Sequence, residues 1–401
     1  MNGGILVDQH GSIVSVGLAS DLRSQAGTVT DFGSHWILPG FCDTHLHFPQ
    51  LDMISSPGEE LLGWLERYTF PTESAFEDTT LAANTAERLV TELYANGTTA
   101  AVMFSSNHVG ATHALFAESD RRGLRAVIGK SSKDRNAPAS MLSDPVKDGE
   151  ESQELIQRWH GRDGRLFYAV TPRYAPCTSD AMLATHGNLV ARYGDLYIQT
   201  HLAENVAEIA WVKTLFKGAP DYLSVYESFG LIGPRTILAH CIHLSDSEIQ
   251  RIAEAKAIVA HCPTSNMFLG SGTLPKNRLK AAGAKITLAS DIGAGTSLSQ
   301  WRTMMAAYQL QRLAGRPFDG ASLFWMASGA GYAALGWNGG QLTSGSDADF
   351  QVINPDRHRL LGHRLHSSAT AEEAVFAMMA HNDDRTVERV YVRGREVYRT
   401  M

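Results

Sequence analysis

Eight short apolar runs, separated by segments of helical periodicity, limit most strongly how this chain can fold. The segments between the runs, such as "DTTLAANTAERLVTELYANG", place apolar residues three and four apart, which is typical of amphipathic helices. Several of them end in a glycine, a common helix stop: Gly97, Gly123 and Gly283. The runs are "WILPGFCDTHLHF", "GTTAAVMFSS", "RAVIGKSS", "RLFYAVTPRYAP", "LYIQTHLAEN", "TILAHCIHL", "AIVAHCPTSN" and "KITLASDIGAG".

This alternation predicts an α/β fold, a (β/α)8 TIM-type barrel of parallel strands. A doubly wound open sheet has a similar rhythm, but it would usually carry a glycine-rich phosphate loop after its first strand, and the sequence has none there. Both ends of the chain predict hairpins, one turning at His10-Gly11 and one at Arg393-Gly394. We therefore expect residues 38–340 to form the barrel. Residues 1–37 and 341–401 should form a small β-sandwich domain, the second part with a closing helix.

Composition and charge limit the kinds of binding partner and the cellular compartment to be expected. The chain has 401 residues, enough for one large barrel or two domains, and a net charge of −7 without a long basic block. This charge gives no reason to expect a nucleic-acid or membrane partner. The four cysteines are widely spaced and form no C-x-x-C pair, and the N-terminus does not resemble a signal peptide. We expect a cytoplasmic protein.

Polar side chains end several of the predicted barrel strands. Active sites of such barrels lie at the C-terminal ends of the strands, so residues with a chemical role should collect there. His45 and His47 end the first run and, being two apart, face the same side of a strand. His201, His240 and Asp291 end the fifth, sixth and eighth runs. One such histidine is usually structural, but this many at one end of a barrel predict a metal site.

Imidazoles with a carboxylate suit zinc or ferrous iron better than magnesium or calcium, which prefer oxygen ligands. We expect one Zn²⁺ per chain, with Fe²⁺ as the alternative. The fourth run offers Arg173 rather than the lysine that commonly bridges two metals, so a single metal is favoured. Such a metal lowers the pKa of a bound water.

Glu204, three residues after His201, is the candidate general acid/base. The alternative, a carboxylate at the positive end of a helix dipole, applies better to Glu208. Asp43 is expected to orient an imidazole, and His261 to be a core residue or a neighbour of the ligands.

At the level of motifs, "PGFCDTHLHF", "THLAEN", "AHC" and "SDIGAG" together resemble the amidohydrolase superfamily, in its single-metal branch of purine and pyrimidine deaminases. Longer stretches are similar to the family of bacterial guanine deaminases, and the resemblance runs from about residue 38 to the C-terminus. These stretches are "HFPQLDMISSPGEELLGWLERYTFPTE", "VTPRYAP", "HCPTSNMFLGSG", "SDIGAGTSLSQWRTMMAAYQ" and "NDDRTVERVYVRG".

The resemblance implies roles for individual residues. It makes His45, His47, His201 and Asp291 the metal ligands and Glu204 the proton shuttle. It also implies that His240 and Asp291 flank and activate the attacking water, and that the purine is held by four residues: Gln50, Arg173, Tyr174 and His240.

The activity that the resemblance implies is hydrolysis of guanine to xanthine and ammonia. A related aminohydrolase acting on 8-oxoguanine, cytosine or a triazine is the nearest alternative, and a catalytically silent binding protein of the same fold is another. The resemblance also implies a homodimer, to whose interface "LLGWLERYTFPTE" could contribute. The other interpretation of that stretch is a helix packed on the barrel of its own chain.

Overall fold

The computed structural model describes residues 3–58 and 60–400. The chain begins with an antiparallel hairpin of β1 (Gly3–Val7) and β2 (Ile13–Leu18), which turns at the predicted His10-Gly11 position. The next strand, β3 (Trp36–Pro39), comes from the start of the first apolar run. Gly40 lies between β3 and the barrel, and glycine is required there because a Cβ would lie 2.1 Å from Thr99 Oγ1.

The eight predicted runs each supply one strand of a parallel barrel, so the TIM-type fold is confirmed. Adjacent strands pair in chain order, and the last returns to the first: Asp291 N donates to His45 O at 2.9 Å, and Thr287 Oγ1 lies 2.8 Å from Thr44 Oγ1. The strands are β4 (Phe41–His47), β5 (Thr98–Phe104), β6 (Arg125–Gly129), the short extra β7 (Ser131–Ser132), β8 (Leu166–Pro172), β9 (Tyr197–Leu202), β10 (Thr236–His240), β11 (Ile258–His261) and β12 (Lys285–Leu288).

Alternation along the strands divides the core into two layers. On β10, Ile237 and Ala239 belong to a cluster inside the barrel, whereas Leu238 packs with the large cluster shared with the surrounding helices. Strands buried on both sides therefore read as continuous apolar runs, which is why they stand out in the sequence.

Helices cover the outside of the barrel, and predicted stops fall where expected. Asp78 caps α4 (Thr79–Ala95) by accepting from Thr80 N, and Gly123, with φ +79°, ends α5 (Val109–Arg122). Within the described ranges, no helix has both the length and the apolar character needed to cross a membrane. The helices are α1 (Ala19–Leu22), α2 (Leu61–Trp64), α3 (Phe70–Ser74), α4 (Thr79–Ala95), α5 (Val109–Arg122), α6 (Pro145–Trp159), α7 (Asp180–Tyr193), α8 (Val206–Leu215), α9 (Tyr222–Glu227), α10 (Asp246–Glu254), α11 (Pro263–Phe268), α12 (Lys276–Ala281), α13 (Gln300–Leu313), α14 (Gly320–Ala327), α15 (Gly329–Ala334), α16 (Arg359–His366) and α17 (Ala371–His381).

The two ends of the chain build the small β domain together. The strands β13 (Phe350–Ile353), β14 (Val387–Val392) and β15 (Arg395–Arg399) join β3 in an antiparallel sheet of order β15-β14-β13-β3. This sheet and the β1–β2 hairpin share one hydrophobic cluster around Ile13 and Phe350. Because β3 pairs with β13, the predicted boundary between residues 37 and 38 falls inside a strand of the small domain, and the exact domain limits stay a prediction.

Candidate metal and active site

Histidine and aspartate side chains from three barrel strands and the segment after β12 meet at the C-terminal end of the barrel. One ligand atom each from His45, His201, His240 and Asp291 lies within 4.8 Å of the others. His47 joins them, because its Nε2 is 3.1 Å from His201 Nε2. The structure thus brings together all five residues that end the predicted strands.

The distances within this cluster fit a metal site. His45 Nε2 and His47 Nε2 lie 3.1 Å and 3.5 Å from Asp291 Oδ1. Ligands about 2.0–2.1 Å from a tetrahedral zinc ion stand roughly 3.3–3.4 Å apart, close to these values. His45, His47, His201 and Asp291 could therefore share one ion, and His240 lies within reach of the same point, with its Nε2 3.7 Å from Asp291 Oδ2.

Protonation states also favour metal binding. Burial lowers the pKa of His45, and it holds the pKa values of His47 and His201 well below the usual range, so these rings are neutral and offer lone pairs. Burial alone would raise the pKa of Asp291, but the neighbouring imidazole of His45, whose Nε2 lies 3.1 Å from Asp291 Oδ1, outweighs it and lowers the pKa to about 2. His45 has no hydrogen-bond partner for either ring nitrogen among the described residues.

The backbone is strained where it presents the site. Ala203, His240, Cys241 and Asp291 have φ angles of +52°, +70°, +54° and +52°, in the left-handed region that residues with a side chain rarely adopt. Each of these residues ends a barrel strand or follows one closely. Such strain persists only where the surrounding structure fixes it, and it clusters at functional sites.

Glu204 faces His240 across the cluster. Its Oε2 lies 3.3 Å from His240 Nε2, and its Oε1 accepts from Ser271 Oγ at 3.0 Å. Burial raises the pKa of Glu204 to about 7. Burial lowers the pKa of His240, but the carboxylates of Glu204 and Asp291 outweigh it and raise the pKa overall. The Glu204 carboxyl and the His240 imidazole lie close enough to pass a proton between them.

Glu208 has the structural role predicted for it. It forms a capping box with Asn205 at the start of α8, and its Oε2 accepts from the backbone N–H groups of Glu204 and Asn205. Its Oε1 accepts from Tyr222 Oη at 2.7 Å. Glu204 precedes the helix and has its carboxylate free of this capping.

A second group of polar side chains lies beside the cluster. Gln50, in a 3-10 helix at Phe48–Met53, accepts from Gly293 N at 3.0 Å through Oε1 and donates to Glu73 through Nε2. Arg173 follows β8 directly and donates to Glu73 through Nη1. Tyr174 comes next, and burial holds the pKa of its hydroxyl well above the usual range.

The histidine–aspartate cluster and the second group of polar side chains line one pocket. Every candidate metal ligand and purine-binding residue except His45 contributes to its wall. The lining residues are His47, Gln50, Leu61, Trp64, Leu65, Arg173, Tyr174, His201, Glu204, Glu208, His240, Leu269, Asp291 and Ala294.

Comparison with known proteins identifies the family. The model of the amidohydrolase family matches residues 36–397. The chain belongs to this family. It is 40% identical over 372 residues to the guanine deaminase of Escherichia coli (strain K12), covering 92% of this chain and 84% of that protein.

Solved structures of the same family superpose closely on this amidohydrolase. The E. coli guanine deaminase gives a TM-score of 0.96 at 38% identity, covering 99% of this chain and 93% of that one. A guanine deaminase from C. acetobutylicum with bound guanine in the active site gives a TM-score of 0.91 at 32% identity, covering 98% and 94%.

Sequence reasoning missed several residues of this amidohydrolase site. Leu61, Trp64 and Leu65 form an apolar wall of the pocket, so this part of "LLGWLERYTFPTE" packs on its own barrel. Their spacing of three and four was the signal for a helix face, although nothing indicated what that face would cover. Glu73 and Asn266, whose Oδ1 lies 3.0 Å from His240 Nδ1, stand in stretches that carry the family resemblance, but sequence reasoning assigned no role to either.

Two minor expectations had different outcomes. The prediction for Asp43 is wrong: its Oδ1 accepts from the backbone N–H groups of Ser290 and His45 instead of orienting an imidazole ring. This carboxylate helps to close the barrel between β4 and the segment after β12. His261 is a core residue, as expected, with its ring 6.4 Å from that of Phe318.

Proposed function

We propose that this amidohydrolase hydrolyses guanine to xanthine and ammonia. The observation that carries the proposal is that Gln50, Arg173 and Tyr174 line the same pocket as the histidine–aspartate cluster and Glu204. The similarity to guanine deaminases, one of them with guanine bound, supports the same substrate.

The proposed cofactor is one Zn²⁺ per chain, with Fe²⁺ as the alternative. His45, His47, His201 and Asp291 would hold it, because three neutral imidazoles and an ionised carboxylate converge there. When bound, the ion would supply Lewis acidity and make water easier to ionise near neutral pH. His201 is already oriented for this role, because its Nδ1 contacts the carbonyl oxygen of Arg173 and leaves Nε2 to face the cluster.

The purine would be held by the second group of side chains. The Arg173 guanidinium can donate to the carbonyl oxygen of guanine, and it is buried and fixed by Glu73. Gln50 keeps one N–H and one lone pair beyond its protein contacts, so its amide can donate and accept at the ring edge. The Tyr174 ring offers a stacking surface.

Proton transfer is assigned to Glu204 and His240. Water adds to the carbon that bears the exocyclic amine, and Glu204 Oε2 accepts a proton from this water and delivers it to the neighbouring ring nitrogen. His240 Nε2, 3.3 Å from Glu204 Oε2, steadies the charge during this transfer. The amine then takes up the second proton of the water and leaves as ammonia, so guanine and water give xanthine and ammonia. The apolar wall of Leu61, Trp64 and Leu65 would limit access of bulk water.

A homodimer and a cytoplasmic location remain proposals that rest on the sequence alone. The homodimer can be checked by light scattering. If "LLGWLERYTFPTE" contributes to an interface, it does so through surfaces other than the buried Leu61, Trp64 and Leu65.

The direct test is ammonia release by metal-replete protein from guanine, 8-oxoguanine, adenine and cytosine. We expect turnover of guanine, and Glu204→Gln should lower kcat by about 10²–10⁴-fold, the usual contribution of a general acid/base, with the metal content unchanged. Glu150→Gln, at an exposed carboxylate on α6, is the matched control and should have no effect.

Other results would point elsewhere. Release from another ring but not from guanine would overturn the substrate while keeping the reaction class. No release from any ring, with metal bound, would support a silent binding protein.

A further inference from the structure

Glu73 on α3 is fully buried, and its carboxylate joins residues that come from distant parts of the chain. Its Oε1 accepts from Gln50 Nε2 at 2.8 Å and from Arg173 Nη1 at 2.6 Å. Its Oε2 accepts from Arg173 Nη1 at 2.8 Å and lies 3.4 Å from Lys133 Nζ. One carboxylate therefore contacts two of the side chains that the proposed function assigns to the purine, Gln50 and Arg173.

Glu73 balances the positive charges of Arg173 and Lys133. Arg173 and Lys133 are both buried, and within the described ranges Glu73 is the carboxylate that forms an ion pair with each. Burial raises the pKa of Glu73, but the two cations outweigh it and lower the pKa, so the carboxylate is ionised. Burial lowers the pKa of Lys133 to about 8, and the charge of Glu73 opposes this shift. Removing the negative charge would leave two buried cations facing each other and would displace the flexible arginine.

We propose that Glu73, backed by Lys133, positions Arg173 and thereby determines specificity for a purine with a carbonyl oxygen. Glu73 itself lies behind the pocket wall and acts through Arg173. The inference rests on the proposed function, in which the Arg173 guanidinium meets that oxygen. Gln50 would be less dependent on Glu73, because Gly293 N also holds its amide.

The test compares two ligands that differ at the carbonyl position. Guanine carries the oxygen and a protonated N1, whereas 2-aminopurine has hydrogen on that carbon and an unprotonated N1, and it keeps the exocyclic amine. We expect Glu73→Gln to raise KM for guanine by about tenfold or more, because a hydrogen bond to a charged group is lost or misaligned. The inhibition constant of 2-aminopurine, measured as a competitor, should change by less than about threefold, because this ligand makes no such bond. Neither constant depends on the fraction of folded enzyme.

Controls separate positioning from general damage. Glu66→Gln changes an exposed carboxylate in the same segment between β4 and α4, and it should leave both constants unchanged. If Glu73→Gln does not fold, Glu73→Asp keeps the charge but withdraws it by one methylene, and the same selective rise in KM is expected.

Equal changes in the two constants would overturn the inference, because they would indicate a structural role alone. So would unchanged constants for both ligands. If wild-type protein turns over 2-aminopurine or another ring but not guanine, the proposed function fails, and this inference fails with it. With wild-type activity on guanine established, only the comparison of the two ligands decides.

Discussion

The buried ion pair of Lys130 and Asp148 offers a quantitative test of how the barrel supports its site. Lys130 follows β6, and its Nζ donates to Asp148 Oδ1 on α6, with both side chains fully buried. Asp148 Oδ2 also accepts from Ser132 Oγ at 2.8 Å, and Lys130 Nζ lies 3.2 Å from Glu151 Oε2. Ser132 connects this ion pair to the site, because its carbonyl oxygen accepts a hydrogen bond from Arg173 N at 3.4 Å.

Replacing either partner of the ion pair should lower the free energy of unfolding, and the two replacements should lower it by different amounts. Lys130→Met leaves a buried carboxylate without its lysine, which should lower the free energy of unfolding by about 3–5 kcal/mol. Asp148→Asn leaves Lys130 with Glu151, which is 23% exposed, so the loss should be smaller, about 2–3 kcal/mol. In the double variant neither charge remains, and its loss should fall short of the sum of the single losses by about 2 kcal/mol or more.

Urea unfolding of the four proteins measures this double-mutant cycle. Burial raises the pKa of Asp148, but Lys130 and His186 outweigh it and hold the pKa well below the usual range. A lowered pKa in the folded state stabilises the protein above the unfolded pKa of about 4, and this contribution is lost as the pH falls through the folded value. The coupling should therefore be equal at about pH 6 and about pH 8. A coupling below about 1 kcal/mol, the range of exposed pairs, would refute the reasoning.

Two further predictions concern packing and the metal. Gly129→Ala should lower the free energy of unfolding by about 3 kcal/mol in urea, because the new Cβ would lie 1.8 Å from Thr171 Oγ1 and 2.3 Å from the carbonyl oxygen of Ala169. Gly17→Ala, with no atom within 4 Å of its Cβ, is the control, and equal losses would contradict the prediction. Chelation should lower the thermal unfolding midpoint reversibly, since a ligand at a thousand times its Kd stabilises by about 4 kcal/mol. A midpoint insensitive to chelator and to added zinc would speak against a metal at His45.

The barrel could be predicted from the sequence because its signals are local. Strands buried on both faces must be apolar throughout, and segments such as α4 carry their own periodicity and their own stop. The start of the first run was harder to interpret. "WILP" and "FCDTHLH" belong to one run of the sequence, yet they enter two different sheets on either side of Gly40. The division depends on pairing with β13, more than 300 residues later in the chain, and no local pattern reports that pairing.

The metal cluster could be predicted from the sequence for a related reason. Parallel strands of a barrel bring their C-terminal ends to one rim, so residues that end separate runs are neighbours once the fold is known. His45, His201 and Asp291 could therefore be grouped without knowing any distance. Asp43 was misjudged because a carboxylate next to two ligands suggests an imidazole partner, whereas barrel closure supplies the backbone N–H of Ser290 instead.

Glu73 shows where this kind of reasoning stops. Glu73 lies on the short helix α3, in the segment that joins the barrel strand β4 to α4. Its partner Arg173 is 100 residues away in the chain. Rim geometry predicts the position of Arg173, but it says nothing about which loop residue will neutralise that guanidinium. A buried arginine nevertheless requires a counter-charge, because an unpaired cation inside the protein is strongly unfavourable. The structural requirement for a carboxylate was thus implicit in placing Arg173 at the pocket, and only its identity had to come from the structure. Since that carboxylate also contacts Gln50, the electrostatic requirement and the recognition of the purine converge on one residue.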